Sequence, residues 1–311
     1  VTRLINTVLI TVFAFFAFLG VFWHFQGGGT GAGPRGEPTV TAITPQWGDG
    51  AKALTVDLAV HNPGGDPAVA STVTYDAVVD GKTVDHAVAR PLPVPVPTVP
   101  AKGDGPVPFN VTLPKDFAVT WWTGYMRDAE STELRIHGSV SMRRSDGPHE
   151  VPFEWRSSWT GSLAKGLTQA VNNCDQQPTD LCLSQGQFTW VDGTLHATLT
   201  LHNPGPDAVA IGNATLKLSF GDHAVVGGRV DLLRTLPPSS DTSVPLVLTF
   251  SQSAIAAWWP DHVAACERTP VTFGLDLQAQ PVKDSMTDNG VTTEQWTFPA
   301  APLQTRFVCG Q

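Results

Sequence analysis

The residues able to do chemistry are few, and their spacing is poor for it. Four cysteines, Cys174, Cys182, Cys266 and Cys309, fall in the second half of the chain without the C-x-x-C spacing of a structural zinc site. An even number in an exported chain reads as two disulfides. Cys174 with Cys182 would close the polar loop CDQQPTDLC, and Cys266 with Cys309 would tie the C-terminal tail to the core. Spacing leaves the pairing open, and four free thiols in a cytosolic chain is the alternative. For nucleophilic catalysis there is no G-x-S-x-G turn and no Cys beside a His. The nine histidines are scattered through apolar runs, where strand residues are expected rather than ligands. Asp66 and Asp207 each follow a Pro-Gly turn, but one carboxylate per turn falls far short of the roughly six to eight oxygens calcium takes. An enzyme reading therefore has no residues to name, and no cofactor or metal is expected.

Two further groups point to recognition. Trp121-Trp122 and Trp258-Trp259 are adjacent pairs within stretches that read as helical. Neighbours on a helix point about 100° apart, so one ring of each pair packs on a sheet and the other offers an apolar plate to a partner, lipid or sugar. These four rings are the candidate interaction surface; a helix covered on two sides, with all four buried, is the alternative. Asn110-Val111-Thr112 and Asn213-Ala214-Thr215 match the glycosylation acceptor pattern.

What positions these residues is a chain written twice. HNPG stands at His61–Gly64 and again at His202–Gly205, each time closing an alternating apolar run, at an offset of 141. PVPFNVTL (Pro106–Leu113) matches SVPLVLTF (Ser243–Phe250) at 137, and Trp121-Trp122 matches Trp258-Trp259 at the same 137. Four residues are lost where the Pro-rich Arg90–Gly105 gives way to Arg234–Thr242, and four return in the hairpin before Trp296. Length changes confined to loops are the mark of a duplicated domain. At the corners, Pro63 and Pro204 supply no ladder hydrogen, Asn62 and Asn203 can bond backbone beyond them, and Gly64 and Gly205 take the turn.

Each copy reads as seven period-two strands with one helix, over Leu113–Glu130 and Ser251–Arg268. In the first, Phe117, Trp121, Met126 and Ala129 share a face; in the second, Pro260 is expected to shorten or kink the helix. Asp80-Gly81, Asp192-Gly193 and Gly221-Asp222 mark hairpins. The fold class is mainly β: two tandem antiparallel sandwiches of Ig/fibronectin-like kind, residues 38–160 and 186–311, joined by a linker over 161–185. A short helix through Leu163, Leu167 and Val171 and a stapled loop fill that linker.

Before the first copy the composition changes. Leu4–Phe25 contains no Asp, Glu, Lys or Arg, and about 20 such residues cross a hydrocarbon core. Residues 1–26 read as a transmembrane signal anchor, with a cleaved signal peptide as the rival. Arg3 before the apolar run, with the free N-terminus, favours a cytoplasmic N-terminus and an extracytoplasmic body, and Trp23 and His24 at its far end suit the membrane interface. Residues 27–37 are a Gly-rich tether that behaves as coil. The net charge of −9, with no basic cluster, gives no footprint for phosphate backbones, so nucleic acid is not an expected partner.

A strand ending in N-P-x, a following strand (VTYDAVVDGK, LKLSFGDH), a Pro- or Ser-rich connection, an edge strand (VPFNVTL) and then a helix together resemble the late-embryogenesis-abundant type 2 domain, also called the WHy domain, once per copy. The family's usual N-P-N is N-P-G in both copies. The resemblance implies a seven-stranded sandwich with one helix, no catalytic residues, and a role in desiccation or stress tolerance; some relatives carry one membrane helix before the domain. The expected protein is thus a single-pass, non-catalytic envelope protein whose partners are membrane, envelope polymer, lipid or surface proteins. The rival is a structural subunit of a surface filament with the N-terminal helix in its core.

Overall fold

The alternation of apolar and polar residues becomes strand almost throughout a computed structural model that describes residues 36–177, 179–282 and 291–309. In the first half these are β1 (Thr39–Gly48), β2 (Ala53–Asn62), β3 (Ala68–Val79), β4 (Lys82–Pro91), β5 (Thr98–Val99), β6 (Gly103–Thr112), helix α1 (Phe117–Arg127), β7 (Ser131–Arg144) and β8 (Gly147–Thr160). A connecting helix α2 (Leu163–Ala170) follows. The second half has β9 (Cys182–Val191), β10 (Thr194–Asn203), β11 (Ala208–Phe220), β12 (His223–Leu236), β13 (Ser240–Leu248), helix α3 (Gln252–Ala264), β14 (Arg268–Val282) and β15 (Thr292–Gln304).

The strands form four antiparallel sheets, and the order in each half is the same. β1-β2-β6 corresponds to β9-β10-β13, and β4-β3-β7-β8, which also carries the short β5, corresponds to β12-β11-β14-β15. Period two explains the packing: Leu54, Val56, Leu58 and Val60 of β2 bury on one face, as do Leu195, Ala197, Leu199 and Leu201 of β10. Rings cross between the facing sheets, Phe109 of β6 against Tyr75 of β3 and Phe153 of β8 (5.2 and 5.5 Å between centroids), and Phe188 of β9 against Phe273 of β14 (5.4 Å). Asp80-Gly81 (φ 47° and 78°) and Asp192-Gly193 (φ 49° and 75°) are left-handed at both positions, as two-residue hairpins of this hand require.

Several expectations need correcting. The Pro-rich connection of the first half holds an eighth, two-residue strand, β5, because Ala68 and Val69 extend β3 far enough to pair with it. Ala129 is exposed and lies beyond α1 with φ 49°, off the helical face assigned to it. Pro260 sits inside α3, which at 13 residues is longer than the 11-residue α1. β9 begins at Cys182, within the stretch read as linker, because the loop closes onto the strand itself. The expected helix is present through Leu163 and Leu167, both buried, but it ends at Ala170, so Val171 falls just past it. The apolar N-terminal segment, the first nine tether residues and the acidic turn 283–290 lie outside the described residues. Among the described residues no helix is long and apolar enough to cross a membrane.

Candidate functional site

The two Asn-Pro corners share three hydrogen bonds, and the first adds another from Arg144 Nη1 to Asn62 Oδ1 (3.3 Å). Asn62 is fully buried; its Nδ2 donates to the carbonyls of Asp66 (2.8 Å) and Pro100 (3.1 Å), and its Oδ1 accepts from the Gly64 amide (3.1 Å). Asn203 does likewise, donating to Asp207 (2.9 Å) and Pro237 (3.0 Å) and accepting from Gly205 (3.1 Å). Each amide cinches three chain segments, which only a side chain that both donates and accepts can do. Pro63 and Pro204 follow as the strands end. The preceding histidines pair across the strand with carboxylates, His61 with Asp104 (2.9 Å) and His202 with Asp241 (2.8 Å). These pairs are exposed.

The helices that follow dock the two halves on each other. Trp121, Trp122, Trp258 and Trp259 are all at most 3% exposed. Trp121 lies 5.0 Å from Trp259 and 6.3 Å from Trp258, centroid to centroid. The second ring of each pair crosses over: Trp122 packs on Phe220 and Phe250 of the second half (5.3 and 5.1 Å), and Trp259 on Trp47 and Phe117 of the first (5.6 and 5.7 Å). The expected exposed plate is therefore corrected. Each helix is covered by its own half and by the other, so both rings of each pair are buried. Aromatic pairs of this kind each contribute about 0.5–1.5 kcal/mol beyond area burial.

Just past each helix the chain makes the same unusual turn. Ala129 and Glu130 (φ 49° and 71°) and Cys266 and Glu267 (φ 51° and 58°) are consecutive left-handed residues, none of them glycine, a conformation that costs about 1–2 kcal/mol per residue. The turn aims a carboxylate inward, with Glu130 5% exposed and Glu267 fully buried. Glu267 Oε1 accepts from Trp47 Nε1 of the first half (2.5 Å) and the Val308 amide (3.1 Å); Oε2 accepts from the Phe307 amide (2.7 Å) and Thr305 Oγ1 (3.3 Å). Glu130 Oε1 accepts from Trp190 Nε1 of the second half (2.7 Å) and from the Ala164 amide in the first turn of α2 (2.6 Å). Each half thus lends an indole N–H to the other's buried carboxylate, the reciprocity expected of an isologous two-fold interface.

A directed hydrogen-bond chain extends this contact in the second half. Trp258 Nε1 can only donate, and does so to Thr269 Oγ1 (3.1 Å). Thr269 then donates to His262 Nδ1 (2.8 Å), His262 Nε2–H donates to Thr305 Oγ1 (2.8 Å), and Thr305 donates to Glu267. The fixed direction assigns the Nε2–H tautomer. Burial pushes the His262 pKa down to about 3, so the ring is neutral. In the first half Tyr125 occupies the equivalent place, at the same 137 offset. It stacks on Trp121 and Trp159, its hydroxyl has no hydrogen-bond partner among the described residues, and burial raises its pKa well above the usual value.

The remaining candidates are dispersed. Cys174 bonds Cys182, and Cys266 bonds Cys309, so the second disulfide fastens the tail whose amides hold Glu267. Asn110 is exposed on β6 and accepts from Thr55 Oγ1 (3.1 Å), whereas Asn213 is half-buried at a bulge of β11. Among the described residues no group of three or more His, Cys, Asp or Glu side chains could hold a metal ion. The sequence reading missed Glu130, Glu267, Trp47 and Trp190. Glu130 and Glu267 do align at the helix offset of 137, and the change in His-to-Asp separation from 43 to 39 repeats the four-residue deletion.

No family model matches the chain. No curated protein matches it. Among solved structures, it is similar to a crystal structure of a protein from Archaeoglobus fulgidus, at 16% identity over 39% of this chain and 93% of the other, TM-score 0.31. A solution structure of an Arabidopsis thaliana protein matches at 13% identity over 41% of this chain and 82% of the other, TM-score 0.32. The crystal structure of the Pseudomonas aeruginosa CupB2 chaperone matches at 13% identity over 82% and 98%, TM-score 0.18. At these scores the likenesses carry no argument.

Proposed function

We propose that the protein is a non-catalytic, membrane-anchored pair of late-embryogenesis-abundant type 2/WHy-like sandwich domains. They act at the cell envelope as a stress-protective or binding module. The observation that carries this reading is the repeated Asn-Pro corner: the same residues, with the same three hydrogen bonds, at the same point of the same strand order in both halves. It is the motif on which the family resemblance rests. Two disulfides support an extracytoplasmic body, since such bonds persist in oxidising compartments. The interlocked seam supports a mechanism by rigid surfaces rather than by moving parts.

The reading is tested by deleting the gene in its host and measuring survival after drying and osmotic shock. Survival falls on deletion, and the wild-type gene restores it. A deletion strain as tolerant as its parent contradicts the stress role. Labelling of added surface cysteines by a membrane-impermeant reagent in intact cells tests the topology, with labelling expected.

A further inference from the structure

The two-fold seam creates the same kind of groove twice, and the two copies have diverged. Each is bounded by the first hairpin turn of one half, the strand-to-helix connection of that half, and the helix of the other. The groove of the second half is lined by Gly193, Leu248, Phe250 and Ile255 together with Val119 and Met126 of α1, has no charged lining residue, and encloses about 160 Å³. That of the first half encloses about 830 Å³, within the range of small-molecule sites. Its apolar wall is Pro114, Ala256 and Pro260, over Trp259.

Charge separates the two more sharply than size. The larger groove is lined by Lys52, Arg90 and Lys115 against one lining carboxylate, Asp49, in a chain of net charge −9. Lys115 stands at the position that Gln252 holds in the other copy, 137 residues on. Neither lysine takes part in an ion pair among the described residues. Arg90 is held in place through Nη1, which donates to the Tyr75 hydroxyl and the Asn110 carbonyl (both 2.8 Å). The half-buried Asp85 already accepts from Tyr75 (2.6 Å) and the Thr112 amide (2.8 Å).

The helix starts also differ. α3 is capped by Ser251, whose side chain accepts from Ala254 N, whereas Asp116, at the start of α1, makes no side-chain cap hydrogen bond among the described residues. Phe117 and Ala118 of that uncapped turn line the larger groove. The Trp259 indole N–H, buried and without a hydrogen-bond partner among the described residues, belongs to the same wall.

We propose that the larger groove binds a small anionic amphiphile: a phosphate or carboxylate among Lys52, Arg90 and Lys115, with a short apolar body lying on Pro114, Ala256 and Pro260. This inference is independent of the stress-protective reading. The test is calorimetric titration of the full-length chain, held in a neutral detergent, with hexyl phosphate, inorganic phosphate and hexanol. Hexyl phosphate binds at one saturable site; inorganic phosphate binds at least tenfold more weakly and hexanol weaker still. The double substitution K52E/K115E, at exposed positions, lowers the affinity for hexyl phosphate at least tenfold with an unchanged unfolding midpoint, while Gln252→Glu in the smaller groove leaves it unaltered. Competition with dihexanoyl phosphatidic acid identifies the source: displacement assigns a lipid headgroup, and its failure assigns a free amphiphilic anion. Absence of saturable binding, hexanol binding as tightly as hexyl phosphate, or equal affinity in K52E/K115E would overturn the proposal.

Discussion

The two halves solve one problem in two ways. Each must turn its chain after the helix, bury a carboxylate there, and give that carboxylate enough donors to remain buried. The first half uses two, Trp190 Nε1 and the Ala164 amide, the latter at the start of α2 where the helix dipole favours an anion. Its neighbouring position is filled by a stacked Tyr125. The second half uses four donors from Trp47, Thr305 and the tail, and a hydrogen-bonded His262 in place of the tyrosine. The linker helix has done for one copy what the disulfide-fastened tail does for the other. A duplicated backbone therefore preserves the demand, a buried acid at a left-handed turn, while the groups that satisfy it come from whatever chain lies next in sequence.

This comparison is broken hardest at the shared centre. Trp121→Ala and Trp258→Ala each remove a buried ring of the seam and should cost about 3–5 kcal/mol, measured by denaturant unfolding; a loss below about 1 kcal/mol from either would mean that the seam is not packed as described. The unequal donor sets come next. Glu267→Ala strands four donors and Glu130→Ala two, so the first should lose about 3–5 and the second about 2–3 kcal/mol. Equal losses would deny the asymmetry.

The corners, by contrast, should lie closer together, although Asn62 Oδ1 also accepts from Arg144 Nη1 (3.3 Å). Asn62→Ala and Asn203→Ala each leave a buried amide and two carbonyls without their partner, about 1–3 kcal/mol apiece; a difference larger than that range would separate the corners. A further effect is graded with pH. Folded His262 takes a proton near pH 3 and the unfolded ring near 6.5. The unfolded chain therefore binds the extra proton in between. The stability that goes with a neutral His262 is complete above about pH 6.5 and falls by about 1.4 kcal/mol per pH unit towards pH 3. Stability curves of wild type and His262→Gln should converge through that window, and parallel curves would contradict it.

Much of this was legible in the amino-acid sequence, for local reasons. Alternation marks Leu54, Val56, Leu58 and Val60 as one buried face, Asp-Gly marks the hairpins, and Asn before Pro marks the corner, because each depends on residues a few positions apart. The disulfide partners were among the readings open from spacing. The seam was not legible. Trp47 and Glu267 are 220 residues apart, and nothing in the pattern around either one specifies the docking of two finished sandwiches. The tryptophan pairs misled for the same reason: 100° of separation on a helix exposes one ring only if one side of that helix is open. Pro260 does not shorten α3 because packing against the first half outweighs the local preference, the usual tertiary override of propensity.

The account's central claim is that the halves are locked by reciprocal indole-to-carboxylate bonds. The double-mutant cycle combining Trp47→Phe with Glu267→Gln tests it most directly. Removing the N–H and the charge separately and together should give a coupling energy of about 1–3 kcal/mol, and the matching cycle at Trp190 and Glu130 should give a coupling in the same range. Additive losses, with coupling below about 0.3 kcal/mol in both cycles, would contradict it.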